Sequence, residues 1–285
     1  MAVTGTPMTP GATPSSGGIN RAAYEATAEE ATYEQMQLVP LVDSFNGPIY
    51  GQGIVRKWAR VTGTTLAQTA SGVDLTYLDP RGVAVTITPV GRVVPIGWSQ
   101  NMKSETDINL DAGASASGTG AMAELLEGDC AANFASGTVI VSGAAIDAAT
   151  LRQLRARLIG NTNGLARKKK VYAWFSHTQE PALMGIPEVN SAEMRGDSEN
   201  PYVKGLWVNG FGMSLMTSTV VYQDANGWHN AVFLEEALKT GWNERTLVKR
   251  QEEELFYRYI LYSNMGSNVQ HDARMVIFRS TASQL

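Results

Sequence analysis

The chain has 285 residues, 44% of them hydrophobic and 18% charged, a balance that suits a globular protein with a sizeable core in one or two domains. Lys and Arg total 23 against 27 for Asp and Glu, a formal net charge of -4, which lacks the basic excess of a dedicated duplex-binding protein. No window supplies the roughly 18 uninterrupted apolar residues of a membrane span or the start of a secretion signal, and a single cysteine, Cys130, excludes an internal disulfide and a cysteine zinc cluster.

From Met1 to about Asn20 the sequence is almost entirely Gly, Pro, Ser, Thr and Ala, too poor in apolar surface to offset the entropy of ordering it, and it reads as a flexible arm. Arg21 to Met36, with Glu25, Glu29, Glu30 and Glu34, has good helix propensity but a thin apolar stripe, so a short helix here needs a partner. Between Ile49 and Trp98 the pattern turns to strands: Val73, Leu75, Tyr77 and then Val83, Val85, Ile87 alternate with period two around a small, polar tip at Thr62 to Gly72. A long hairpin is the simplest reading, and such a projection is hard to stabilise alone.

Asp111 to Gly120 is rich in Ala, Gly, Ser and Thr and leads into Ala121 to Ala135, where Met122, Leu126, Cys130 and Phe134 recur every four residues as the stripe of an amphipathic helix ending near Gly137. A strand at Val139 to Val141 is followed by a helix marked by Ile146, Leu151, Leu154 and Leu158, with Arg152 and Arg155 on its other side and Gly160 and Gly164 past its end. Val171 to Phe175 predicts a strand, after which Thr178 is placed to cap a short helix with Glu180 and Pro181 in its first turn. Trp207 to Val221 is apolar and Gly-rich, Asp224 to Gly227 signals a hairpin turn, Ala231 to Leu238 has helix-like spacing, and Phe256 to Tyr262 and Arg274 to Arg279 read as strands. The total is an α+β chain without internal repeats.

The chemical motifs are weak. Gly113, Gly118 and Thr119 have the glycine spacing of a phosphate loop but lack its lysine, and Gly210 and Gly212 lack a third glycine, Leu215 standing in its place, so a close backbone approach explains them better. His177, His229 and His271 are far apart, no Ser sits in a Gly-x-Ser-x-Gly elbow, and Cys130 falls on an apolar stripe, the position of a packed thiol. Glu235, Glu236 and Glu252 to Glu254 read as solvated or salt-bridged carboxylates, and the Asp224 turn lacks the further oxygens of a calcium loop. No catalytic, cofactor or metal residue is therefore assigned. The one concentrated basic patch is Arg167, Lys168, Lys169 and Lys170, which either meets a polyanion such as DNA or is a solvated connection.

The order of segments resembles the major capsid proteins of tailed double-stranded DNA bacteriophages, the Hong Kong 97-type fold. The resemblance rests on a polar arm, a long two-stranded loop, an Ala-rich long helix, the glycine-punctuated run Gly205 to Thr219, the stretch Asp224 to Leu238 with its Ala-Val-Phe-Leu-Glu-Glu-Ala-Leu, and a final strand within Gly266 to Ser280. It implies an N-arm over 1–45, an extended loop over 46–100 (its strands within Gly47 to Val94), a spine-helix region over 101–137 (Asp107 to Ala135), and interleaved peripheral and axial domains over 138–285. The function it implies is self-association as hexamers and pentamers into an icosahedral shell around double-stranded DNA, in the virion after assembly in the host cytoplasm. Portal, scaffold and decoration proteins are the implied partners, with no membrane and no cofactor. The N-terminal region looks too short to carry a scaffolding segment. Lys57, the lone lysine between Gly47 and Lys103, is the position from which a loop cross-link would come, without a visible asparagine partner. An encapsulin-like nanocompartment shell shares the fold and is the rival reading, with an unrecognised α+β enzyme as the other.

Overall fold

The computed structural model describes residues 31–32, 35–45, 48–49, 53–58, 82–99, 110–137, 140–190, 208–253 and 256–281. The readings for the Gly/Pro-rich arm, nearly all of the Arg21–Met36 helix, the hairpin tip at Thr62 to Gly72 and the Val73–Tyr77 alternation lie outside the described residues. The first half of the described chain runs β1 (Asp43–Ser44), β2 (Gly53–Trp58), β3 (Gly82–Ile87), β4 (Val90–Ser99), helix α1 (Leu110–Ala131), β5 (Ile140–Gly143), helix α2 (Ala148–Asn161) and β6 (Val171–Ser176). The second half adds helices α3 (Glu180–Met184) and α4 (Pro187–Asn190), then β7 (Val208–Gly210), β8 (Met213–Ser218), β9 (Gln223–Asp224), β10 (Gly227–Leu234), β11 (Leu238–Glu253), β12 (Phe256–Val269) and β13 (Met275–Ser280).

Among the described residues these strands form three sheets: a central one ordered β5-β13-β10-β6-β8-β7 with β9 against β10, a second ordered β1-β11-β12-β4, and the pair β2-β3. The central sheet is buried on both faces. Along β10, Ala231 and Phe233 enter the cluster that contains α1, whereas Val232 and Leu234 enter the cluster that contains α2. On β6, Trp174 belongs to the first cluster, and Val171, Ala173 and Phe175 to the second. Double burial makes the sequence of a central strand a continuous apolar run instead of an alternating one. That corrects the helix-like reading of Ala231 to Leu238, which forms the end of β10, a 3-10 turn at Glu235–Ala237 and the start of β11.

Helix α1 bridges the central and second sheets. Its stripe Met122, Leu126 and Cys130, with Phe134 in the 3-10 turn Ala132–Ser136 that continues it, is fully buried. Phe134 meets the Phe233 ring at 5.2 Å on the central sheet, and Leu261, Met265, Val94 and Ile96 of the second sheet complete the same cluster. The glycine-rich start is part of the helix. A Cβ at Gly118 would stand 2.6 Å from Ile96 Cδ1 and 2.7 Å from Leu261 Cδ1, so the helix backbone lies directly against the second sheet there. Gly113, Gly118 and Thr119 therefore form no phosphate loop; they sit within one continuous helix.

The expected hairpin is present at its base, where β2 pairs antiparallel with β3 from Gly53↔Ile87 to Trp58↔Gly82. Its last part departs from expectation: Val90 to Ser99 is β4, paired along its length with β12. The Asn268 side-chain amide donates to Thr86 O at 2.7 Å and Ile87 is fully buried, which anchors the hairpin base on the β12 side. Thr178 is also not the cap it was expected to be. Ser176 caps the 3-10 turn His177–Gln179, its Oγ accepting from Thr178 N at 3.3 Å, and α3 follows with no side-chain cap. The Gly210–Gly212 reading holds as a close approach: β7 and β8 are joined by Phe211 (φ 55) and Gly212 (φ 70), and the Arg155 guanidinium occupies the space that a Cβ at Gly212 would need.

Candidate functional site

Polar groups concentrate where α1 meets the chain that precedes it. Glu127 is buried at 4% exposure, and its Oε1 accepts the backbone amides of Gln37 and Leu38, the latter at 2.5 Å. Burial pushes the Glu127 carboxyl above its ordinary range and the like charge of Glu124 adds to this, while the two amide bonds oppose it. Two residues further along α1, Asp129 accepts both Nε (2.6 Å) and Nη2 (2.5 Å) of Arg92 on β4, a forked pair that raises the guanidinium's proton affinity. Asn133 then donates to Ser267 Oγ on β12 at 2.7 Å. These contacts set the register of the helix against an N-terminal segment and two strands.

A second cluster lies at the β9–β10 turn. His229, 1% exposed, places Nε2 3.0 Å from Asp224 Oδ2, and Arg279, its partner across β13, reaches within 4.0 Å of the same oxygen. The close approach of His229 Nε2 first, then hydrogen bonding from Asn226, holds the Asp224 carboxyl down at about 2. The Asn226 amide donates to Asp224 Oδ1 at 2.7 Å and Gly227 takes φ 126, so the hairpin turn expected at Asp224 to Gly227 is formed as the turn chemistry requires. The Tyr222 ring packs edge-on against His229 at 5.2 Å. This His-Asp pair escaped the sequence reading, although five residues across a tight turn is a spacing that places two side chains together. It pins the turn to the sheet.

The other candidates are not brought together. His177 stacks edge-on against Trp228 at 6.1 Å, and no group of three or more His, Cys, Asp or Glu among the described residues has metal-holding geometry. Cys130 is fully buried and burial pushes its thiol up to about 12, which keeps it protonated and unreactive at neutral pH. Among the described residues no helix is long and apolar enough to cross a membrane.

All four residues of the basic patch are exposed, in the 3-10 turn Leu165–Arg167 and the residues leading into β6. Lys169 pairs with Glu236, which also holds Arg274, and the Lys170 ammonium lies 5.0 Å above the Tyr172 ring. Arg167 and Lys168 have no ion pair among the described residues. Apolar exposure gathers elsewhere. Val93 (51% exposed), Val90 (49%) and Leu125 (43%) stand out on β4 and α1, and Val93 and Leu125 line a shallow groove with Pro95, Ala121 and Val220.

No protein-family model matches the chain, and no curated protein sequence matches it. Solved structures do. The chain is similar to the capsid structure of the cyanophage P-SCSP1u, with TM-score 0.67 and 11% identity over 87% of this chain and 89% of that one. It is similar to the head structure of Helicobacter pylori bacteriophage KHP40, with TM-score 0.66 and 12% identity over 85% and 88% of the two chains. A virus-like particle from Pyrococcus furiosus matches with TM-score 0.60 and 10% identity over 91% and 99%. Over most of its length, then, this chain has the α+β fold seen in phage capsid structures.

Proposed function

We propose that the chain is a major capsid protein, a structural subunit and not an enzyme, which self-associates as hexamers and pentamers into an icosahedral shell enclosing double-stranded DNA. The observation that carries this reading is the extent of the likeness to solved phage capsids, 85% or more of this chain in the two described above. The surface agrees with it: the polar constellations register elements within the protomer, and the apolar groove lined by Val93 and Leu125 is left open. A second copy of the chain is the occupant of that groove in this reading, because shell subunits bury surface on one another that the monomer cannot bury alone. Residues 1–45 act as the N-arm, 46–100 as the extended loop with strand β4 of the second sheet at its end, 101–137 as the spine-helix region and 138–285 as peripheral and axial domains. Portal, scaffold and decoration proteins are the further partners, and the virion is the final location after assembly in the host cytoplasm. Sedimentation of the purified full chain followed by negative-stain imaging tests the proposal: capsomers or closed polyhedral shells support it, and a monomer that persists at high concentration refutes it.

A nanocompartment shell is the second and less supported reading; a likeness to a virus-like particle from Pyrococcus furiosus fits any closed shell, the capsid included. Particles isolated from the native source separate the two: double-stranded DNA inside supports the capsid, and protein cargo without DNA supports the compartment.

A further inference from the structure

A second exposed surface carries charge without apolar anchors. From Asp147 to Lys170 the sequence holds seven Lys and Arg against the single acid Asp147, in a chain whose net charge is -4. Four of the seven have work inside the protomer. Arg152 binds Glu188 at 2.5 Å, Arg155 fills the space over Gly212, Lys169 pairs with Glu236, and Lys170 covers the Tyr172 ring. Arg157, Arg167 and Lys168 remain, all exposed and with no ion pair among the described residues.

The fold brings these three to one end of α2. Gly164 in the left-handed conformation (φ 82) turns the chain back after the helix, its amide donating to Ile159 O at 2.8 Å, and the Arg167 amide then donates to Gly164 O at 3.0 Å. Arg157 lies just over a turn before the helix end, and Arg167 and Lys168 follow directly after the reversal. The exposed residues between them are Gly160 and Asn163, small or polar, whereas the large exposed hydrophobics among the described residues are Val90, Val93, Leu125 and Ile140, in other elements.

That composition selects the partner. A protein–protein contact centres on buried aromatic or aliphatic anchors with a polar rim, which this surface lacks. Contacts to nucleic-acid phosphates need only cations and hydrogen-bond donors, gain affinity by releasing counterions, and suit the forked guanidinium. We propose that Arg157, Arg167 and Lys168 form a sequence-independent binding surface for the phosphate backbone of nucleic acid. This rests on the capsid reading, in which enclosed DNA is the phosphate source, and names the residues that meet it.

The test uses the unassembled full-length chain and a short fluorescent duplex, with anisotropy followed across a salt series. Two unrelated duplex sequences bind equally, and log affinity falls linearly with log salt. The triple variant Arg157→Gln, Arg167→Gln, Lys168→Gln, checked for unchanged circular dichroism and urea midpoint, loses at least about tenfold in affinity at low salt and lowers the slope by roughly 2 to 3, near 0.9 per phosphate contact removed. An unchanged slope and affinity in the triple variant overturns the proposal, as does displacement of DNA from the wild-type chain by polyglutamate of equal charge at equal or lower concentration. Imaging the same two proteins for shells keeps the readings apart: shells from both with unaltered DNA binding sink this surface alone, and DNA binding that depends on these residues in a chain that never assembles sinks the capsid reading alone.

Discussion

Replacing Glu127 by Ala removes the acceptor that holds the N-terminal segment to α1. Two amide donors, Gln37 N and Leu38 N, lose their partner, and Leu38 is fully buried. A hydrogen bond to a charged group contributes about 1.5 to 3 kcal/mol, and against this stands the relief of no longer burying a carboxylate; the net expected loss is about 2 to 4 kcal/mol. Glu127→Gln keeps an acceptor oxygen and loses about 1 kcal/mol or less. The pH dependence follows from the direction of the shift. Because the folded carboxyl titrates above its unfolded value, its contribution to stability is fully present below the unfolded value and is lost as pH rises through the folded one. The Gln variant lacks this term, so its deficit relative to wild type is largest in acid and shrinks as pH rises towards neutrality. Urea unfolding of the unassembled chain followed by tryptophan fluorescence, with amide exchange read over 36–42, measures both effects. An Ala variant within about 0.5 kcal/mol of wild type, the scatter of surface substitutions, refutes the role of Glu127, and an unchanged pH slope in the Gln variant refutes burial as the cause of the shift.

Glycine positions on α1 separate packing from propensity. Gly118→Leu forces side-chain atoms between Ile96 and Leu261 and costs about 2 to 3 kcal/mol by overpacking, whereas Gly120→Ala meets only the Gln35 side-chain oxygen at 3.1 Å and gains up to about 1 kcal/mol of helix propensity; equal urea midpoints for the two variants would contradict the close approach. Leu125→Asp in the exposed apolar groove leaves unfolding within about 0.5 kcal/mol of wild type but removes fast-sedimenting species. Shells at wild-type yield from this variant would show that the groove is not a contact between copies.

The stripe Met122, Leu126, Cys130, Phe134 was legible because a helix packed between sheets needs an apolar side chain every turn, and all four are fully buried. Strand β6 was legible as a short apolar run. Strand β10 was not: with both faces buried its residues carry no period of two, and a continuous apolar run cannot be told from a helix by spacing. The strand-rich character of Ile49 to Trp98 does not name a partner for Val90 to Ser99, which is β12, far along the chain. Likewise Glu127 reads as one more helix carboxylate until the amides it accepts, 90 and 89 residues away, are placed beside it. The basic run Arg167 to Lys170 was visible as charge, yet which of its members are free depends on Glu236 and Tyr172, brought near by the sheet.

The central claim is that the open surfaces of this protomer are completed by further copies of itself. An electron cryomicroscopy reconstruction of particles formed by the purified chain tests it most directly. A closed icosahedral shell is expected, with Val93 and Leu125 buried against a neighbouring subunit. A chain that stays monomeric, or a shell that leaves those two side chains facing solvent, would contradict it.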